Sequence, residues 1–346
     1  MSTTEQERES EFAGLGHIME ILTGDWKARI LMTAVEVDLF SRLSGSPATA
    51  EKICAMLGFQ SSGVHDFLGA LVHLGLLEEE AGRYRNSQAA ERHLIKGGHA
   101  YIGGYVRFCD RQLNPAFDGL TDTLRTGSPA NRAATGGSNP YDSLYADADV
   151  TETFLDSMDL AATPVALTLS ALDWSDYRSV VDVGGARGHL IRLLVSRNPH
   201  LEGIVFDLPA LEPAFHEYLA TTGAREPITY RGGDFFTDPL PEADAMVFGH
   251  VLHNWGVDER ITILRNAYRS LRPGGSVFIY DHMITEGTPS LNRLLSSLGM
   301  RVWSAGGHEY SAEDCHGWLR TAGFSPVTSG LPDLGEDVLV VAHKDG

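Results

Sequence analysis

Cysteine is scarce in this chain: Cys54, Cys109 and Cys315 are the three in 346 residues, far apart and without metal-type spacing. That count excludes a disulfide framework and fits a reducing, cytoplasmic compartment. Long apolar runs are missing as well, since no segment reaches the ~20 residues of a membrane span. The segment MSTTEQERESEF is polar and acidic and lacks the apolar core of a signal peptide. Positive charge is short: 27 lysines and arginines face 46 acids, for a formal net charge of −19, and no basic run stands out. Phosphate neutralisation dominates nucleic-acid affinity, so general DNA or RNA binding is excluded. There is no internal repeat and no low-complexity tract.

What is present has two textures, and 346 residues exceed what one core usually spans. The expected domains are 1–165 and 166–346. From Ala13 to about Leu124 apolar residues recur at helical spacing, in Gly24–Leu43, in ATAEKICAMLGF and in SSGVHDFLGALVHLGLL, which Ser61 or Ser62 could cap. LLEEEAGRYRNS reads as a hairpin turning at Ala81-Gly82. Helix, helix, hairpin is the order of a winged helix-turn-helix. The helix that would read DNA is acidic and apolar, so the order reads as a packing and dimerisation module. Ile18, Met19, Ile21 and Leu22 exceed what one small helical domain can bury, which predicts a homodimer. AYIGGYVRF suggests close helix packing or a loop, Arg125–Pro140 a loop or cover, and TETFLDSMDLAATPVALTLSAL a helix joining the halves.

From Arg178 strand-like runs alternate with helical ones: SVVDVG, GIVFDL, ITYRGG, AMVFGHVL, SVFIYDHM and VLVVAHK are the strands. The expected fold is α/β, a Rossmann-like doubly wound sheet, mostly parallel, with ligands at the carboxyl ends of its strands. In VVDVGGARGHL a strand ends on Asp182 and runs through three glycines into a helix, so a ligand must approach the backbone closely. Asp207 ends the next strand, where a carboxylate can accept from ribose hydroxyls. Asp234, Phe235 and Phe236 end the third, an acid and aromatics suited to an adenine ring.

DVGGARG, FDLP, GDFF, LHNW and LRPGG, in this order, resemble the class I S-adenosylmethionine-dependent methyltransferases. The chain is similar, over nearly its whole length, to the plant-type and bacterial small-molecule methyltransferases with an N-terminal winged-helix dimerisation domain. The resemblance implies a cofactor, S-adenosylmethionine, lying against Asp182, Gly184, Gly185 and Gly188, with its ribose on Asp207 beside Leu208 and its adenine near Asp234 and Phe235. Two departures stand out: Ala186 for a usual glycine, tolerable if its φ is negative, and Arg187 for a usual threonine, which either contacts the methionine carboxylate or faces solvent.

A methyl group on a sulfonium is already electrophilic, so the protein must align the acceptor and deprotonate it. The resemblance assigns the base to His253 in LHNW and its braces to Asp281 and Glu309. Asp281 is shorter than the usual glutamate, His282 follows it, and Asn254 replaces a frequent aspartate. His253, Asp281 and His282 supply the ligand set of an open facial metal site; alternatively, His282 points away from Asp281 as strand neighbours do. With a divalent metal, the expected reaction is methylation of the β-carbon of a 2-oxo acid in bacterial natural-product metabolism, its carboxylate drawn by Arg107 and Arg111. Without one, it is O-methylation of a phenol or enol. A small-molecule acceptor and a homodimer are the expected partners, with no nucleic acid and no membrane. A third reading, a ligand-sensing regulator, sits poorly with the acidic balance.

Overall fold

The structure is a computed structural model that describes residues 14–346 apart from 61, 99, 131–140, 142–143, 224–226, 285–286, 288 and 328–331. Most of the expected cover at Arg125–Pro140 therefore lies outside the described residues. The chain divides into two compact units, Met1–Arg111 and Gln112–Gly346. This boundary precedes the expected one at 165/166, because the helix Ala148–Leu169 packs on the helix His189–Arg197 of the second unit.

The first unit is helical around one two-stranded hairpin. Its core gathers Leu39, Phe40, Leu43, Ile53, Leu68, Leu71 and Leu77, all essentially buried. Thr49 caps the helix Ala50–Leu57, its hydroxyl accepting the Lys52 N–H, and Gly58 ends it in the left-handed region. Ser62 does not cap the next helix, Val64–His73; Gly63 occupies that position at φ +92° without a side-chain bond. Strands β1 (Leu77–Glu80) and β2 (Arg83–Asn86) meet at Ala81 and Gly82, both at positive φ, as a two-residue hairpin turn of mirror-image type requires. AYIGGYVRF forms the helix Gly103–Phe108, which packs on Gly24–Glu36.

The second unit holds seven strands: β3 (Ser179–Val183), β4 (Glu202–Asp207), β5 (Ile228–Gly232), β6 (Ala243–Gly249), β7 (Leu271–Asp281), β8 (Ser325–Val327) and β9 (Val338–His343). Their order is β5-β4-β3-β6-β7-β9-β8, parallel through β7 and antiparallel at β9 and β8. The six sequence-read strands are all there, and the short β8 is the addition. Side chains alternate between two cores, as a period of two demands. Val181, Met246, Phe248, Val277 and Ile279 face the helices Val257–Ser270 and Ala312–Ala322. Val180, Val205, Val247 and Phe278 face Ala148–Leu169 and His189–Arg197. The strand order reverses between β3 and β6, so a crevice opens at their carboxyl ends. Among the described residues, no helix is long and apolar enough to cross a membrane.

Residues 14–22 are helical and keep an apolar face exposed, with Ile18 at 62%, Ile21 at 67% and Leu22 at 61%. A second copy of the chain is the partner that the sequence reading assigns to it. The double substitution Ile18→Glu, Ile21→Glu should halve the mass seen by light scattering at micromolar concentration while the helical circular dichroism is kept. A wild-type chain that is already monomeric there would refute the assignment.

Candidate active site

The chain turns sharply at the end of β3. Gly184 takes φ +74°, and a Cβ there would meet the Val251 side chain at 2.6 Å; on Gly185 it would meet the Asp182 carboxylate at 2.7 Å. The next residue departs from expectation. Ala186 adopts φ +49°, a left-handed conformation, not the negative φ assumed for a tolerable alanine. Its N–H donates to Asp207 Oδ2 at 2.8 Å, and Leu208 N–H donates to Oδ1 at 2.7 Å, so Asp207 pins the loop into that strained turn. Each Asp207 oxygen keeps a second lone pair for a ligand hydroxyl. Burial pushes Asp207 up to about 6; burial, and then the Asp207 charge, push Asp182 up to about 7. Two buried carboxyls side by side call for a ligand rich in donors or positive charge.

Arg187 neither faces solvent nor stays open for a ligand carboxylate. It bonds Asp159 Oδ2 at 2.6 Å and Asp156 Oδ1 at 2.8 Å, both on the helix Ala148–Leu169, and so ties the glycine loop to that helix. At the third strand end, Asp234 Oδ1 accepts the Phe236 N–H at 2.9 Å, while Phe235 stands edge-on to Trp255 and Asn266 holds its carbonyl. One Asp234 oxygen therefore shapes the turn and the other remains for a ligand. These positions gather at the carboxyl ends of β3, β4 and β5, where the expected cofactor residues were read.

The expected base, His253, follows the neighbouring strand β6 in the single turn Leu252–Asn254, and it is buried. Its Nδ1 is 2.9 Å from Glu309 Oε1 and 3.6 Å from Asp281 Oδ1. The short aspartate thus acts on the ring by charge alone and accepts the Tyr310 hydroxyl on its other oxygen. Burial by itself lowers the pKa of this imidazole. The Glu309 and Asp281 charges and the Glu309 hydrogen bond outweigh burial and raise it to about 9. With Nδ1–H held by a carboxylate, Nε2 is the nitrogen left to exchange a proton with an acceptor.

Several residues of this region escaped the sequence reading. Arg260, fully buried on the helix Val257–Ser270, donates to the carbonyls of Leu252 at 2.9 Å and His308 at 2.7 Å and lies against the rings of both Tyr310 and Trp318. The sequence reading did not single it out. Ser296 donates to Glu309 Oε1 at 2.8 Å and contacts His282 Nδ1 at 3.1 Å. His250, three residues before the base, was visible in GHVLHNW but passed as a strand residue.

The expected metal set of His253, Asp281 and His282 is not assembled. The ligand atoms that come within 4.8 Å of one another form two other sets, His250–His253–Asp281 and His250–His282–Asp337. Asp281 is the last residue of β7 and its carboxylate lies beside His253, whereas His282 follows the strand and turns its Nε2 to Asp337. Arg107 donates to the Tyr101 hydroxyl at 2.9 Å, and Arg111 is exposed in the π-helical turn Cys109–Leu113, so the two do not share one regular helix as expected.

Comparison with known proteins agrees with this geometry. A family model described as an O-methyltransferase domain matches residues 117–325, and one described as an O-methyltransferase dimerisation domain matches residues 19–96. A tetracenomycin polyketide synthesis 8-O-methyl transferase from Streptomyces glaucescens is 41% identical over 96% of this chain and 97% of its own. An N,N-dimethyltransferase, OxyT, from Streptomyces rimosus is 36% identical over 94% of this chain and 96% of its own. Among solved structures, PigF with S-adenosylhomocysteine (SAH) superposes with a TM-score of 0.88 at 26% identity, covering 95% of this chain and 99% of that one.

Asp207→Ala removes both the ribose acceptor and the pin on Ala186. Binding of S-adenosylhomocysteine should weaken by about 1–3 kcal/mol, the cost of stranding its hydrogen-bonding partners. Isothermal calorimetry showing wild-type affinity in that variant would take Asp207 out of the cofactor site.

Proposed function

Because the chain belongs to the O-methyltransferase family and uses S-adenosylmethionine, we propose that it methylates a phenolic hydroxyl on an aromatic polyketide in bacterial natural-product biosynthesis. We place it in the cytoplasm as a homodimer. The observation that carries the reading is the His253–Glu309 pair at 2.9 Å, which fixes one imidazole nitrogen and frees the other as a proton acceptor. The 41% identical polyketide 8-O-methyl transferase supports the acceptor class. Carbon methylation of a 2-oxo acid has lost its support: its metal set is not assembled, and Arg107 is engaged by Tyr101.

S-adenosylmethionine supplies a methyl group on a positively charged sulfur, which leaves with the bonding electrons. The protein does the rest. Asp207 and the glycine loop hold the nucleoside end in place. Tyr141, Tyr145 and Phe154, with ring centroids 5.8–6.1 Å apart, offer flat apolar surface; burial and, after it, the nearby Asp207 charge raise both tyrosine pKa values. His253 Nε2 takes the hydroxyl proton as the oxygen bonds to the methyl carbon, and Glu309 and Asp281 stabilise the resulting imidazolium.

The sign of the pH dependence follows. With a free-protein pKa raised to about 9, His253 is mostly protonated at neutral pH, and its base form grows as pH rises through that value. The kcat/KM for a phenol should therefore climb with pH toward about 9. Glu309→Gln removes the carboxylate that raises the pKa, so the climb should move to lower pH while the plateau falls. Using the same acceptor for both proteins cancels the acceptor's own titration. His253→Ala should lose about 10²–10⁴ in kcat with cofactor affinity kept. An unshifted profile in Glu309→Gln, or full turnover by His253→Ala, would remove His253 from this role.

A further inference from the structure

Beside the base, and not used by it, three side chains converge from three segments. His250 follows β6, His282 follows β7, and Asp337 immediately precedes β9. Asp337 Oδ1 lies 3.5 Å from His250 Nε2 and 3.4 Å from His282 Nε2. We propose that His250, His282 and Asp337 bind a divalent transition-metal ion of the zinc class, with one coordination position open.

The spacing fits. Metal–ligand bonds of about 2.0–2.1 Å at tetrahedral angles put ligand atoms about 3.3–3.4 Å apart. The carboxylate-to-imidazole separations here match that edge and are too long for hydrogen bonds. Two of the three ligand atoms are also unaccounted for. His250 Nε2 and Asp337 Oδ1 are buried without a hydrogen-bond partner, and Asp337 is only 9% exposed. Buried polar atoms are left so in few places, and a cation satisfies both at once. An ion pair between His282 and Asp337 would answer the carboxylate and still leave His250 Nε2 bare.

The surroundings behave like the outer layer of a metal site. Ser296 contacts His282 Nδ1 at 3.1 Å, which turns Nε2 toward Asp337, and the Asp281 carboxylate lies 3.9 Å from His250 Nδ1. His250 is held at φ +53°, a strained backbone that the Asn254 amide secures by donating to its carbonyl at 2.8 Å. The side chain of His282 is 34% exposed, so the open position faces outward. The alternative set, His250–His253–Asp281, is a poorer site because Glu309 already occupies His253 Nδ1.

The test uses the full chain stripped with a chelator and titrated with Co2+, whose visible absorption reports a four- or five-coordinate site, followed by Zn2+ displacement. One equivalent per chain is expected. His282→Ala and Asp337→Asn should each weaken Zn2+ binding by about 100-fold or more, while His253→Ala keeps it. Calorimetry with S-adenosylhomocysteine on every variant shows that the fold and cofactor cradle are intact. Absence of a saturable Co2+ spectrum in the wild type overturns the site, as does one retained by His282→Ala or lost in His253→Ala. The readout needs no methyl acceptor, so it can fail while phenol methylation stands.

Discussion

The proposed base, His253, depends on a buried guanidinium that never touches it. Arg260 grips the carbonyl of Leu252, the residue before His253, and the carbonyl of His308, the residue before Glu309. Two segments 56 positions apart are drawn together by one planar fork, and the 2.9 Å contact between their next residues follows from backbone placement. Its charge also matters. Asp281 and Glu309 are buried beside one imidazole; burial raises the Asp281 pKa to about 7, and the charge of His253 and, less, that of Arg260 oppose the rise. A lysine would bring the charge without the fork.

The cradle and the base are not independent devices. They occupy adjacent strand ends, β3 and β6, on either side of the reversal in strand order. Gly184 presses against Val251, two residues before the base, so the backbone that admits the nucleoside also walls the base segment. Arg187 extends the coupling to the helix Ala148–Leu169, which carries Phe154 toward the aromatic group with Tyr141 and Tyr145. A shift of the glycine loop is thereby felt on the acceptor side.

The sequence made the frame legible because its signals are periodic or local. Alternating apolar runs named six of the seven sheet strands, and the acids Asp182 and Asp207 stood at strand ends as read. His253 and Glu309 were assigned by resemblance, and the structure pairs them. What stayed hidden is long-range or conformational. Nothing in DERITILRN distinguishes Arg260 from a surface charge, since its partners are carbonyls eight and 48 residues away. Asp337 belongs to no motif, and β9 brings it beside His250 and His282 only through the antiparallel edge of the sheet. Ala186 was judged by a φ that no sequence prints. The expected metal set failed because His282 Nε2 turns to Asp337 while His253 Nδ1 is held by Glu309.

The bond from the Asn254 amide to the His250 carbonyl has an evolutionary corollary. An aspartate at 254, the commoner residue after the base, would set a lone pair against that carbonyl where the amide now offers a hydrogen. Asparagine at 254 and a left-handed histidine at 250 therefore form one structural unit. Covariation between these two positions among relatives would mark which lineages carry the unit, and a lineage that reverts either residue alone should pass through a less stable intermediate.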